Sequence, residues 1–359
     1  MEIINKRASL SRAKKAIESK KIKIGFIGGS ITAFENYRSW TEPVISFFLN
    51  NYKDNKISVV NSAIGGTKSD FALLRADKDL IDEQCDIVFI EYAVNDNATD
   101  TEHRMKSREG LIRKLLQNNI DIVLVYTFSQ EMYDDMIKDK IPLSIAEFEQ
   151  LAEHYNIPSV WSGKYALEQN KSGALRWEEW LPDGTHPQEK GSMAYAAPII
   201  DYLKETLNNT GEEMSIKEPL TQNSWENVQL LDFDKILWSS PWTLRCNRSN
   251  TEINPLKYLY TSAVEAELNF EFEGTGIFII QMFGNLSANF IYSIDGQEFV
   301  QPEQVKEREP WMGKTDWYRS ILLAENLEFK NHNIRIITKH SGAPVFGTRF
   351  EIQSIGILK

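Results

Sequence analysis

The chain has 359 residues, enough for two or three domains at roughly 150 residues each. Hydrophobic residues make up 42% and charged residues 25%, a globular balance that excludes a disordered tail, a collagen-like repeat and a disulfide scaffold. With 40 Lys and Arg against 51 Asp and Glu, the net charge is −11 and no basic face shows in the sequence, which excludes nucleic acid and anionic lipid as partners.

The first twenty residues, MEIINKRASLSRAKKAIESK, lack the apolar core of a secretory signal, and the sequence is read as cytoplasmic. Leu10, Ala13, Ala16 and Ile17 instead make an apolar helical stripe, which predicts a first helix. Five short apolar runs follow: Ile22–Ile27, Ile57–Val60, Asp86–Glu91, Asp121–Tyr126 and Pro158–Trp161. Such runs are expected of parallel strands covered on both faces. Helical patterns separate them around Trp40–Tyr52, Asp70–Asp82, Met105–Gln117 and Ser144–Tyr155, and a last one spans about Gln188 to Leu207. Strand–helix alternation predicts an α/β three-layer sandwich with a parallel sheet over residues 1–210.

Residues 211–222 are polar, contain Gly and Pro, and read as a linker. From 223 to 359 the texture is strand-like, with runs at Val264–Phe272, Gly276–Phe283, Ala288–Ile294, Ile334–Thr338 and Phe350–Ile357 between turns such as EGTG and IDGQ. That spacing predicts an antiparallel β-sandwich or jelly roll. No apolar run approaches the roughly 20 residues needed to cross a bilayer. Cys85 and Cys246 lie far apart in sequence and are read as reduced thiols.

Chemistry collects where the predicted strands end. The first run leads into Gly28-Gly29-Ser30, the second through Asn61 into Gly65-Gly66-Thr67, and the third through Glu91-Tyr92 into Asn95-Asp96. Asp183-Gly184-Thr185-His186-Pro187 precedes the last helix. In an open parallel sheet, ligands bind beyond the carboxyl ends of the strands, so these turns are expected to share one cleft. Ser30 offers a hydroxyl that becomes nucleophilic once a base takes its proton. His186 supplies an imidazole, a proton acceptor near neutral pH, and Asp183 can accept its other ring N–H. The N–H groups of Ser30 and Gly66 and the Asn95 amide are three donors for a developing oxyanion. The combination points to acyl transfer.

On these residues the chain resembles the SGNH hydrolases, the superfamily of the GDSL esterases and lipases. The four positions of that name match as Ser30 in IGFIGGSIT, Gly66 in VVNSAIGGTKSD, Asn95 in IEYAVND and His186 in DGTHP, over roughly residues 20–207. The resemblance implies a flavodoxin-like α/β/α sandwich, a catalytic triad of Ser30, His186 and Asp183, and an oxyanion hole of Ser30, Gly66 and Asn95. It also implies a serine esterase that needs no cofactor and acts on small acyl, probably acetyl, esters of a carbohydrate or glycoconjugate. Some carbohydrate-active members carry an extra β-sandwich similar in texture to the C-terminal half. Two departures bear on the acyl pocket: the aspartate of Gly-Asp-Ser is Gly29, and the glycine of Gly-x-Asn-Asp is Ala93.

Other readings of the same chain are weaker. GFIGGS lacks the Lys-Ser/Thr of a phosphate loop. His103, His154, His332 and His340 are scattered, which argues against a metal. Glu178 and Glu179 are adjacent, so their side chains diverge and make a poor glycosidase pair. Trp177 and Trp180 precede the DGTHP turn and could stack on a sugar or pack beneath the loop. Trp238, Trp242, Trp311 and Trp317 carry the same two readings. The competing functions are a lipase-like esterase or thioesterase for longer acyl chains, a non-catalytic glycan-binding protein, and acyl transfer to a sugar hydroxyl.

Overall fold

The computed structural model describes residues 1–33, 38–209, 211–247, 256–302, 316–342 and 347–359. They divide into two compact units, Met1–Glu226 and Asn227–Lys359. The first begins with β1 (Ile4–Asn5), α1 (Ser11–Glu18), β2 (Lys21–Gly28), α2 (Ser30–Ala33), α3 (Thr41–Asn51), β3 (Lys56–Asn61) and α4 (Ser69–Ala76). It continues with β4 (Ile87–Glu91), α5 (Thr101–Gln117), β5 (Asp121–Val125), α6 (Tyr133–Met136), α7 (Leu143–His154) and β6 (Ser159–Val160). Helices α8 (Ser162–Lys171), α9 (Trp177–Trp180) and α10 (Glu189–Thr206) complete it.

Strands β4 and β5 are buried along their whole length, because consecutive side chains point to opposite faces and both faces are covered. The sheet runs β3-β2-β4-β5-β6 in parallel, with β1 added antiparallel at the β6 edge. Counting only the parallel strands, the chain order is 2-1-3-4-5, the flavodoxin-like winding. Its switch point lies between β2 and β4, so the crevice opens where Gly28 and Glu91 end their strands. Below it, Phe26 stacks on Phe89 at 5.2 Å and Trp40 packs edge-on against both rings. Cys85 is a buried free thiol whose pKa burial pushes up to about 12; Cys246 is free and exposed.

Residues 211–226, most of them read above as a linker, are bound to the first unit. The Glu109 carboxylate accepts the N–H groups of Leu220 (2.6 Å) and Thr221 (2.7 Å). Arg113 binds Glu226 and the Lys217 carbonyl. Trp225 is buried with its ring 4.9 Å from His103. Polar composition suggested a linker over residues 211–222, but partners on α5 bind this segment's backbone, and the compact unit extends to Glu226.

The second unit is antiparallel. It contains β7 (Gln229–Leu230), β8 (Thr243–Asn247), β9 (Leu256–Thr261), β10 (Glu267–Gly274), β11 (Gly276–Phe283), β12 (Asn289–Ile294), β13 (Trp317–Ala324), β14 (Lys330–Lys339) and β15 (Phe350–Leu358). One sheet is β10-β14-β12; the other is β13-β11-β15-β9-β8, with β7 beside β15. Leu268, Phe270, Phe272, Ile334 and Ile336 of the first meet Ile277, Ile279, Phe350 and Ile355 of the second in one apolar core. Along β15 the core positions change parity, from Phe350 and Ile352 to Ile355 and Ile357. The pairing with β11 skips Gln353 at that point, so one extra residue re-aims the strand, as a bulge does.

Candidate active site

The turn after β2 places Ser30 at the start of α2, and the DGTHP turn brings His186 to it from 156 residues away. Ser30 Oγ lies 2.8 Å from His186 Nε2, and His186 Nδ1 lies 2.8 Å from Asp183 Oδ2. Asp183 Oδ1 accepts the N–H groups of Thr185 (2.9 Å) and His186 (2.7 Å). Partial burial raises the Asp183 pKa, but these two N–H groups and the imidazole outweigh it and hold the carboxyl below its ordinary range. An ionised Asp183 puts the ring proton on Nδ1 and leaves the Nε2 lone pair facing the Ser30 hydroxyl.

The loop that holds His186 is fixed from below. Gly184 has φ +82°, and a Cβ there would meet Gln130 Oε1 at 2.5 Å. The Gln130 N–H donates to the Gly184 carbonyl at 2.7 Å, tying the DGTHP turn to the segment after β5.

The loop that carries Gly66 and the side chain of Asn95 both pack against the turn that holds Ser30. Gly66 has φ +72°, a conformation that favours glycine. The Ile64 N–H donates to the Gly28 carbonyl at 3.1 Å, which places the Gly65-Gly66 loop against the Ser30 turn. The Asn95 amide packs directly on Gly29: a Cβ there would sit 2.0 Å from Oδ1 and 2.6 Å from Nδ2. The missing aspartate of the Gly-Asp-Ser pattern thus has a local reason, since the space is taken by the Asn95 side chain.

Three residues given no catalytic role from the sequence hold these loops. Asp96 is buried; its Oδ1 accepts the Ser69 N–H at the start of α4 (3.0 Å) and its Oδ2 accepts Arg108 Nε (2.8 Å). It therefore ties the Gly66 loop to the Asn95 loop. Arg108, fully buried on α5, also donates to the Ser144 carbonyl (2.7 Å), Ser144 Oγ (2.7 Å) and the Tyr92 carbonyl (3.3 Å). Glu91, at the end of β4, accepts the hydroxyls of Thr32 (3.0 Å) and Thr127 (2.7 Å). The sequence signal for Glu91 is an acid closing the apolar run IVFIE.

The tryptophans separate by burial. Trp180 has no exposure and sits 4.8 Å from Phe128, with Gly191 of α10 against it, which removes it as a sugar-stacking residue. Trp177 is half-buried, 6.1 Å from the ring of Tyr133, which is 38% exposed. Trp242 is in the sandwich core, 5.9 Å from Phe350; Trp317 is half-buried and Trp238 exposed, and Trp311 lies outside the described residues. Glu179 is bound by Arg176 (2.8 Å) and Lys190 (2.7 Å), which hold its pKa down at about 2, so it is no proton donor. Among the described residues, no group of three His, Cys, Asp or Glu side chains could hold a metal ion. Nor is any helix long and apolar enough to cross a membrane among them.

No family model matches the sequence, and no curated protein sequence matches it. Among solved structures the chain is similar to a two-domain esterase active on acetylated mannans, in a crystal structure matched with a TM-score of 0.80. A second crystal structure of such an esterase, co-crystallised with mannopentaose, is matched with a TM-score of 0.79. Each match has 22% identity and covers 99% of this chain and 96% of the other. The likeness shows the fold: an α/β unit wound on a parallel sheet, followed by an antiparallel β-sandwich, as the sequence led us to expect.

Proposed function

We propose that this protein is a serine esterase that removes small acyl groups, acetyl in particular, from carbohydrate. The observation that carries the reading is the pair of 2.8 Å contacts running from Ser30 Oγ through His186 to Asp183. Ser30 Oγ attacks the ester carbonyl carbon while its proton passes to His186 Nε2. Asp183 balances the charge that forms on the imidazole. The carbonyl oxygen, now an oxyanion, is met by the N–H groups of Ser30 and Gly66 and by the Asn95 amide. Collapse breaks the bond to the leaving oxygen, which takes the proton from His186 and departs as a sugar hydroxyl. Water then attacks the acyl-Ser30 ester by the same route, releasing the acid and restoring the serine.

Two things support carbohydrate as the carrier of the acyl group. Fold likeness to an esterase active on acetylated mannans extends over 99% of the chain. Trp177 and Tyr133 form a half-exposed aromatic edge on the segments that flank Asp183 and Gln130.

The test is acetate release from acetylated mannan and acetylated xylooligosaccharides by the wild type and by Ser30→Ala. The wild type is expected to release acetate and to label at Ser30 with a fluorophosphonate. Ser30→Ala should lose at least about 10³-fold in kcat with the fold intact. Faster turnover of p-nitrophenyl octanoate than of the acetate ester would favour a longer acyl chain. No turnover of any activated acetyl ester, with no labelling of Ser30, rejects the reading.

A further inference from the structure

The mechanism above leaves one buried acid at the centre of the site without a part. Glu91 closes β4, has no solvent exposure, and is level with Gly28 in the sheet. One carboxyl oxygen takes the Thr32 hydroxyl of α2 and the other takes the Thr127 hydroxyl beyond β5. Thr32 is itself held by Trp40, whose indole N–H donates to its hydroxyl at 3.3 Å. A carboxyl group removed from water is costly unless it is hydrogen-bonded, and this one is met by a hydroxyl on each oxygen. Of its two hydroxyl partners, Thr32 is the residue two after Ser30.

We propose that Glu91 is a positioning residue for Ser30: its carboxylate holds the Thr32 hydroxyl of α2 and the Thr127 hydroxyl beyond β5, and so keeps the Ser30 hydroxyl and N–H aimed at the reacting carbonyl. This rests on the esterase reading. Ser30 opens the same short helix that carries Thr32, so the Thr32 bond keeps the first turn of α2 from rotating. Every hydrogen-bond partner of Glu91 is uncharged. The charged and titratable groups around it are Asp96 in the loop after β4, Tyr195 of α10, and the Ser30–His186 pair above the turn. Burial, reinforced by Asp96, raises its pKa to about 7, against the lowering pull of Thr127, Thr32 and Gly29. The carboxylate accepts both hydroxyls at once, whereas the protonated acid must donate a hydrogen bond of its own. The grip on the turn therefore tightens as Glu91 ionises.

The experiment compares wild type, Glu91→Gln, Thr32→Val and Ser30→Ala on p-nitrophenyl acetate from pH 5 to 9, with fluorophosphonate labelling and thermal melts alongside. Glu91→Gln is expected to lower kcat and the labelling rate by about 10-fold or more, with KM within twofold. The acid limb of log kcat should fall from a slope above one proton in the wild type to a slope of one. Thr32→Val, which keeps the shape and removes one bond, should lower kcat severalfold while keeping the wild-type slope. It decides the matter if Glu91→Gln does not fold. Unchanged kcat and slope in a folded Glu91→Gln, or unchanged kcat in Thr32→Val, overturns the proposal and leaves the esterase reading standing. A wild type without turnover or labelling overturns both.

Discussion

The two units bury polar groups in different ways. In the sandwich, such groups close local turns or tie adjacent strands. His332 is held by Asp295 (2.7 Å) and by the Glu328 carbonyl (2.8 Å), and Thr338 bonds Ala263 and Ala266 at the neighbouring strand end. Between its sheets the core is apolar. In the α/β unit, buried polar side chains tie segments far apart in sequence, and one group of them sits at the carboxyl ends of the strands. Glu91 joins α2 to the segment after β5, and Asp96 joins α4 to α5. Desolvating a charge is costly, so a cluster that fixes four loops around one serine marks where the fold gives up stability for placement. Apolar burial in the sandwich carries no such marker.

Substitutions in the two regions should therefore fail differently. Phe270 on β10 is buried between the sheets. Phe270→Ala is expected to cost about 3–5 kcal/mol of stability in denaturant unfolding and leave kcat on p-nitrophenyl acetate unchanged in the folded protein. A matching loss of kcat would break the division of labour.

The opposite pattern is expected at Gly29. A methyl group there would fall on the Asn95 amide, the tip of a side chain that can swing away at little cost to the fold. Gly29→Ala and Asn95→Ala should each lower kcat by about 10²–10³-fold, the usual effect of losing one oxyanion donor. Their melting temperatures should stay within a few degrees of the wild type. The double substitution should be no worse than either single one, because both remove the same donor. Additive losses would show that Gly29 acts by another route.

How far the sequence revealed these features depended on how local their causes are. Strands β2, β4 and β5 were legible because two-sided burial writes itself as unbroken runs of Val, Ile and Phe, whereas the edge strand β3 showed only as a short β-branched run. The two-residue β1 left no pattern, and α8 was hidden by its polar composition, SGKYALEQNK. In the sandwich, β8, β9 and β13 mix charged, polar and aromatic residues, and the pairing that defines them comes from distant strands. Ser30, Gly66, Asn95, Asp183 and His186 could be picked out because each lies in a turn after an apolar run or before a helix. The burial of Trp180 and the binding of residues 211–226 to α5 depend on contacts made only after folding. Glu91 was visible as an acid at a strand end, but its meaning needed Thr32 and Thr127, 59 and 36 residues away.

A last contrast lies within the parallel sheet, between acids at its two ends. Asp121 begins β5, where its carboxyl accepts the Ala13 N–H of α1 at 2.9 Å; Glu91 ends β4 beneath Ser30. Burial raises both, Asp121 from 3.8 to about 7 against the pull of the α1 N–H groups, and Glu91 from 4.5 to about 7. Since both folded values lie above the unfolded ones, the native protein keeps protons that the unfolded chain has already released between about pH 4 and 7. The contribution of these two groups to stability falls as pH rises through that window, by up to about 1.4 kcal/mol per pH unit for each. Asp183 has the opposite sign, its stabilisation being lost on acidification, and its exposure makes that contribution small. Asp121→Asn and Glu91→Gln should each flatten the decline by one proton when unfolding is followed by urea titration at each pH. Only Glu91→Gln should also change the pH profile of kcat, because Asp121 touches a helix end remote from the serine turn, whereas Glu91 holds that turn. If both variants altered the kcat profile, the effect would come from net charge rather than from the hydrogen bond at Thr32.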